Sequence, residues 1–344
     1  MKLFSLPFFA RESVLNGMEP HSLFLLSFVS RKTRRMIKIT IRKNGIGTVF
    51  DVVRVINRVN LVLEGRENKT VVLFARESPV FFEYVPMTLL EFDDRKIYCF
   101  LTLHPTTGIP TIWCYRLYPI ALHLVIQRYI CDLFKAPTHF QLVTNPASMD
   151  ILPEVREVEN CEIEGGETRT RELDDMFKQL KVTDTAVIRP IIKGMFVSNS
   201  ATMKIQNLVM INADFCGPED LLYKFKGKNA IFLKVRLRSN YVNEFLKKWM
   251  NDKLKNLETM IIQTASSFAW PNRNGCLAEI NWKNWDGKSR PQYYDYKLKM
   301  REFLQNPDQD FFDCSNGVDI ERPGDKKRAT VIITNEYFKF FVWN

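Results

Sequence analysis

Seven cysteines and four histidines are the residues best suited to nucleophilic, redox or metal chemistry, and their spacing assembles none of it. Cys99, Cys114, Cys131, Cys161, Cys216, Cys276 and Cys314 are odd in number, scattered, and never in C-x-x-C spacing. That usage fits buried thiols in a reducing compartment. His21, His104, His123 and His139 stand apart from any cysteine pair or carboxylate cluster, so no metal-ligand set can be composed. A nucleophile elbow, an HExxH helix, a Walker loop and a Rossmann fingerprint are all missing. Gly45-Ile-Gly47 lacks the third glycine and following helix of a phosphate loop and reads as a turn. A site built from distant segments leaves no local signature, but the sequence names no catalytic residue, cofactor or metal. The chemistry left to it is binding.

Three stretches could bind. The first is the opening segment, where Leu6, Pro7, Val14, Leu15, Met18, Pro20, Leu23 and Leu26 carry more apolar surface than a module of about 40 residues can bury alone. The second is the basic run Arg31 to Lys43 in a chain of net charge +10, which would attract phosphates. No nucleic-acid fingerprint accompanies it, and a solvated face explains the same charge. The third is Ser266 to Arg301, with Trp270, Trp282, Trp285, Tyr293, Tyr294 and Tyr296 among polar and basic residues, a mix found on recognition surfaces. An ordered loop covering a sheet end would have the same composition.

The elements presenting the first stretch follow from its pattern. Pro7 can open a helix whose Ala10, Val14, Leu15 and Met18 share a face, and Glu19-Pro20 restarts the chain. Leu23, Phe24, Leu25, Leu26, Phe28 and Val29 surround a second helix with apolar groups, so it must be covered on every side. Ser30 can cap a third, basic helix containing Thr33, Met36 and Ile37. A signal peptide fits poorly, since Pro7 interrupts the apolar run and Arg11-Glu12 end it early. A helical hairpin packed on the rest of the chain is the plain alternative.

At these residues the sequence resembles an F-box: Leu6-Pro7, Val14-Leu15, Met18, Pro20, Leu23, Leu26-Ser27, Ser30 and Ile37 follow that motif. Asn243-Glu-Phe-Leu-Lys-Lys-Trp249-Met250, followed by Leu254 and Leu257-Glu258, is similar to a segment of the nematode F-box proteins that carry a type 2 F-box-associated region. The resemblance implies a non-catalytic substrate-receptor subunit of an SCF ubiquitin ligase. It implies docking to a Skp-family adaptor through Leu6, Pro7, Val14, Leu15, Met18, Pro20, Leu23 and Leu26, with a cullin scaffold reached indirectly. An F-box protein without a ligase role, and a basic nucleic-acid-binding module, are the alternatives.

Further along, the period changes. Ile39 to Arg42 and Thr48 to Val53 read as strands around Asn44-Gly45. Val59 to Leu63, Thr70 to Phe74, Val80 to Tyr84 and Ile97 to Thr102 extend an antiparallel element, and Leu117 to Phe134 reads as a long helix. From Val155 onward strand and helix alternate at roughly 25-residue spacing, as in leucine-rich repeats. The irregular beat lacks the asparagine ladder of a regular repeat. Strands are expected at Val155 to Ile163, Ala186 to Ile192, Leu208 to Asn212, Ile231 to Leu237 and Leu257 to Ile262. Helices are expected at Glu172 to Leu180, Pro218 to Phe225 and Tyr241 to Met250, then a closing hairpin across Pro323-Gly324-Asp325. The expected fold is α+β or α/β: an F-box over 1–43, an antiparallel β element with a long helix over 44–135, and a leucine-rich-repeat-like F-box-associated domain over 136–344. Trp249 belongs to an apolar helical stripe and is expected in the core.

For target binding the sequence offers Trp270, Trp282, Trp285, Tyr293 and Tyr294. No uncharged apolar run reaches membrane-spanning length; Ile109 to Ile126, the nearest, contains Arg116 and two prolines. A cytoplasmic or nuclear protein is expected, and Asn68-Lys-Thr70 would accept a glycan only in a secreted one.

Overall fold

The computed structural model describes residues 5–40, 46–53, 56–64, 69–78, 87–92, 95–103, 105–106, 108–115, 122–134, 140–146, 156–265, 271–295 and 311–343. The chain is a mixed α+β protein with two compact units, Met1–Val158 and Glu159–Asn344. The boundary expected near residue 135 lies inside the first unit.

The first unit opens with three helices, α1 (Phe8–Gly17), α2 (Pro20–Leu26) and α3 (Arg31–Thr40). Pro7 is the residue before α1, and its carbonyl accepts the first helical bond from the Arg11 N–H at 3.0 Å. Pro20 sits at the first turn of α2, where no N–H is missed. Ser30 caps α3 by accepting the Thr33 N–H at 3.1 Å. Ile39 and Thr40, expected in a strand, continue α3 instead. The reason is periodicity: Thr33, Met36 and Ile37 are buried at helical spacing, which outweighs the β-branched pair. The expected turn at Asn44-Gly45 lies outside the described residues.

Six strands follow, β1 (Ile46–Val53), β2 (Ile56–Glu64), β3 (Lys69–Ser78), β4 (Met87–Phe92), β5 (Arg95–Leu103) and β6 (Pro110–Tyr115), then α4 (Leu122–Phe134) and β7 (Phe140–Thr144). They form one sheet in the order β7-β1-β2-β3-β6-β5-β4. It is not the purely antiparallel element expected: β1 pairs with β7 and β3 with β6 in parallel. Joining β3 to β6 and β1 to β7 makes non-sequential neighbours, which local patterns cannot announce. β4 and β7 were not anticipated, and the strand expected at Val80 to Tyr84 lies outside the described residues.

The second unit continues with β8 (Glu157–Ile163), β9 (Glu167–Arg169), α5 (Thr170–Gln179), β10 (Lys181–Lys193), β11 (Asn207–Asn212), α6 (Pro218–Lys224), β12 (Asn229–Val235), α7 (Ser239–Met250) and β13 (Thr259–Thr264). Strands β10 to β13 are parallel neighbours in chain order. Their near-continuous apolar runs suit strands covered on both faces. One face meets the helices: Phe245 and Trp249 of α7 lie edge-on to Phe340 at 5.2 and 5.3 Å, and Phe225 meets Phe232. The other face carries Val187, Val209, Ile231 and Ile261, packed with Phe341, Cys314 and Tyr337. Trp249 is fully buried, the core position expected.

Each helix is tied down by one buried polar side chain. Asp174 of α5 accepts from the Thr202 N–H at 3.1 Å and the Thr202 hydroxyl at 2.8 Å. Asp220 of α6 accepts the Phe196 N–H at 2.7 Å. Asn243 of α7 donates to the carbonyls of Cys276 and Ala278 at 3.0 and 2.7 Å. A short side-chain ladder, not anticipated, joins the starts of β11 and β12 to β10: Asn229 Nδ2 donates to Asn207 Oδ1 at 2.9 Å, and Asn207 Nδ2 to Asp184 Oδ1 at 2.6 Å. At the α6–β12 turn a Cβ on Gly227 would stand 2.0 Å from the Ile205 carbonyl oxygen, so only glycine permits that approach.

The unit closes with α8 (Arg273–Cys276), β14 (Trp282–Asn284), β15 (Tyr293–Asp295), β16 (Phe311–Asp313), β17 (Val318–Glu321), β18 (Arg328–Ile333) and β19 (Tyr337–Trp343). β19 runs antiparallel to β13, then β18, β17 and β14 follow outward. β17 and β18 make the hairpin expected across Pro323 to Asp325. β15 and β16 pair only with each other among the described strands.

Candidate functional site

The eight residues proposed for adaptor docking divide by exposure. Leu15, Pro20 and Leu23 are buried, so they hold the module together. Leu6, Met18 and Leu26 are half-buried, while Pro7 and Val14 face solvent. The face expected along α1 through Ala10, Val14, Leu15 and Met18 is not buried as a whole, since Ala10 and Val14 are exposed. Sequence reasoning underrated Phe8 and Phe9, which are 51% and 80% exposed and meet edge-on at 5.6 Å. The signal was the Phe-Phe pair directly after a helix-opening proline. Phe8, Phe9 and Val14 thus leave three apolar side chains of α1 turned to solvent and available for a contact.

The all-round apolar α2 finds much of its cover inside the first unit. Phe24 is fully buried against Tyr129 at 5.7 Å, and Phe28 stacks on the same ring at 4.8 Å and meets Phe92 at 4.9 Å. The Ser27 hydroxyl bonds the Tyr129 hydroxyl at 2.8 Å. What α2 leaves open is a groove of about 290 Å³ lined by Leu25, Leu101, Leu103, Pro110 and Ile112 with two threonines.

The basic run turns part of its charge inward. Arg34 and Lys38 pair with Asp132, and the Arg34 guanidinium lies 4.3 Å from the Tyr129 ring centroid. Burial alone would raise the Asp132 carboxyl, but the two cations outweigh it and hold it below the usual carboxylate range. Arg31, largely exposed, reaches Glu91 at 3.2 Å. Residues 41–43 of the run lie outside the described residues.

In the aromatic segment the structure separates packing from display. Trp270 lies outside the described residues. Tyr294 is structural: it stacks on Phe341 at 4.7 Å and its hydroxyl bonds the Thr259 hydroxyl at 3.3 Å. Trp285 is structural as well. Its Nε1 donates to the Arg290 carbonyl at 3.2 Å, and its ring and that of Trp343 lie 5.2 and 5.1 Å from the Arg290 guanidinium. Arg290 is the keystone, a buried cation whose Nε reaches both Asp319 oxygens at 2.8 and 3.0 Å. Its remaining nitrogens donate to the Cys314 and Pro291 carbonyls at 2.7 and 2.9 Å.

Trp282 and Tyr293 are the two that remain on the surface. Tyr293 meets exposed Phe311 at 6.2 Å on the outer side of the β15–β16 pair. Beside Trp282 stands Arg273, which the sequence did not single out: its guanidinium lies 5.0 Å over the indole and donates to Asn284 Oδ1 at 3.1 Å. Only the fold, by bringing α8 beside β14, unites these residues.

Among the described residues no cluster of three or more His, Cys, Asp or Glu could hold a metal ion. No helix among them is long and apolar enough to cross a membrane. The buried thiols of Cys99, Cys216 and Cys314 are each pushed up to about 12 by burial, which keeps them protonated and poor as nucleophiles. The geometry therefore offers surfaces: exposed apolar side chains on a helix of one unit, an aromatic and basic sheet edge in the other.

No family model matches the chain, and no solved structure matches it. It is similar to a Caenorhabditis elegans protein described as uncharacterized protein F59B2.9, with 24% identity over 200 residues. The match covers 56% of this chain and 43% of that protein, so the chain spans less than half of the relative's length. That description names no activity, and the functional reading rests on the residues themselves.

Proposed function

We propose that the chain is a substrate-receptor subunit of an SCF-type cullin-RING ubiquitin ligase, working in the cytoplasm or nucleus. Its N-terminal helices would be an F-box that docks a Skp-family adaptor, and its second unit a leucine-rich-repeat-like F-box-associated platform for a protein target. The observation that carries the first half is α1, which buries Leu15 inward while displaying Phe8, Phe9 and Val14. The parallel β10 to β13 succession and its side-chain ladder support the second half, since stacked strand-helix units make broad binding platforms. Such a receptor needs no catalytic group. It accelerates ubiquitin transfer by holding a target lysine near a thioester carried by other subunits, a proximity effect.

The test is affinity purification of the full chain scored for adaptor and cullin. The variant of choice is F9E/V14E, because both positions are exposed and the fold should survive the change. Leu15 is unsuitable: an aspartate in its fully buried site would unfold the module before it tested docking. Loss of the adaptor from a variant with an unchanged melting curve supports the reading. Wild-type adaptor recovery by the variant, or none by the parent chain, refutes it.

A further inference from the structure

We propose that the outer edge of β14 receives an extended, acidic segment of a protein partner as an added strand. The inference rests on the reading of this region as a target face and adds the chemistry of the target.

β14 pairs with β17 along one side, and no described strand pairs with its other side. All three of its residues are exposed, so outward backbone groups can meet an incoming strand. Side chains alternate along a strand, which puts Trp282 and Asn284 on one face and Lys283 on the other. On the first face the Arg273 guanidinium is already fixed by the Trp282 ring and Asn284 Oδ1, and its other N–H donors remain for a carboxylate. On the second face stands Lys283.

Neighbouring carboxylates have other partners. Asp286 accepts the N–H groups of Lys288 and Ser289 at 2.9 and 2.6 Å, Glu279 pairs with Lys247 at 2.8 Å, and Asp319 is held by Arg290. Neither Arg273 nor Lys283 has an ion-pair partner among the described residues.

Charge then selects the occupant. An extended segment sends successive side chains to opposite faces, so adjacent Asp or Glu residues would meet Arg273 on one side and Lys283 on the other. A basic segment would be repelled. A second copy pairing antiparallel about Lys283 would set two lysines directly opposite, which is destabilising. The indole adds a flat apolar surface beside the bound strand, an anchor of the type that dominates interfaces.

The experiment uses the full chain and fluorescence anisotropy with three labelled probes: a short Glu-Thr peptide of Glu-Glu-Thr-Thr repeats, whose adjacent glutamates face both sides of an extended strand, its Lys-Thr counterpart and a thymidine oligonucleotide of equal length. The Glu-Thr probe should bind, weaken as salt rises, and bind about tenfold more weakly to R273E/K283E, the scale expected for reversing two exposed charges. R273Q/K283Q, with an unchanged melting curve, should fall between. Absent Glu-Thr binding, an affinity untouched by R273E/K283E, or tighter oligonucleotide binding lost in that variant would overturn the proposal. Capture of native partners by W282A separates the two ideas. A partner set unchanged by W282A sinks the target face whatever the peptide does. A set lost with W282A, without Glu-Thr binding, sinks only the acidic-strand inference.

Discussion

Replacing Arg290 by methionine should unfold the second unit well before it weakens anything on the surface. The side chain is 2% exposed and Asp319 8%, so the pair sits where water cannot replace a lost partner. Methionine keeps much of the volume and some contact with Trp285 and Trp343 but removes every donor. Asp319 then retains the Thr330 hydroxyl at 2.6 Å as a buried partner, and the Cys314 carbonyl loses its guanidinium donor. Breaking one side of a buried pair costs about 3–5 kcal/mol, because the surviving charge stays desolvated. For a unit of this size each kcal/mol lowers the melting temperature by roughly 2–4 °C, so the expected drop is about 6–20 °C. Thermal unfolding by circular dichroism reads it directly. R290M/D319N should recover part of the loss, since it removes the stranded charge, and the cycle should show a coupling of at least ~1.5 kcal/mol. A single mutant melting within about 2 °C of the parent would refute the keystone role, since so small a shift corresponds to under ~1 kcal/mol.

Two further outcomes are expected. Asp325 is held down to about 2, chiefly by its side-chain bond with Arg322, so its folded-state value lies below the ordinary carboxylate value of about 3.9. The stability it contributes is therefore present above about pH 4 and is lost as pH falls toward 2. D325N should flatten that part of the stability profile measured by urea titration at several pH values, and an unchanged slope would refute the assignment. Cys99, Cys114, Cys161, Cys216, Cys276 and Cys314 are all buried, so a disulfide reagent at mildly alkaline pH should label them only after unfolding. Rapid native labelling of more than one of these six, located by mass spectrometry, would show that these thiols are not enclosed.

Local signals carried much of the second unit. In β11, β12 and β13 the apolar runs are continuous because both faces are covered, and their bounds were legible to within about two residues. Helices α6 and α7 were equally plain, with Pro218 at a first turn and Val242, Phe245, Leu246 and Trp249 on one buried stripe. What failed was long-range or competitive. β3 joins β6 and β1 joins β7 in parallel across other elements, and no period in either strand states its neighbour. Ile39 has strand propensity yet finishes a helix, because the buried positions before it had fixed the period. The ladder of Asp184, Asn207 and Asn229 was missed because it runs across three strands, where parallel register alone aligns its members.

The aromatic segment shows why a binding surface is harder to read than a core. Trp282 and Trp285 lie three residues apart in one polar context, yet one displays its ring and the other spends it on Arg290. The difference lies in where each indole finds a partner. Trp285 has its N–H satisfied by the Arg290 carbonyl, and Arg290 is anchored in turn by Asp319 on β17, so the ring is locked to the sheet. Trp282 faces Arg273, a residue of α8 that is itself at the surface, and the pair closes nothing behind it. Composition counts both tryptophans alike. A buried counter-ion on the neighbouring strand makes one structural and leaves the other free to meet a partner, which is why the sheet edge at Trp282 bears the recognition hypothesis while Trp285 does not.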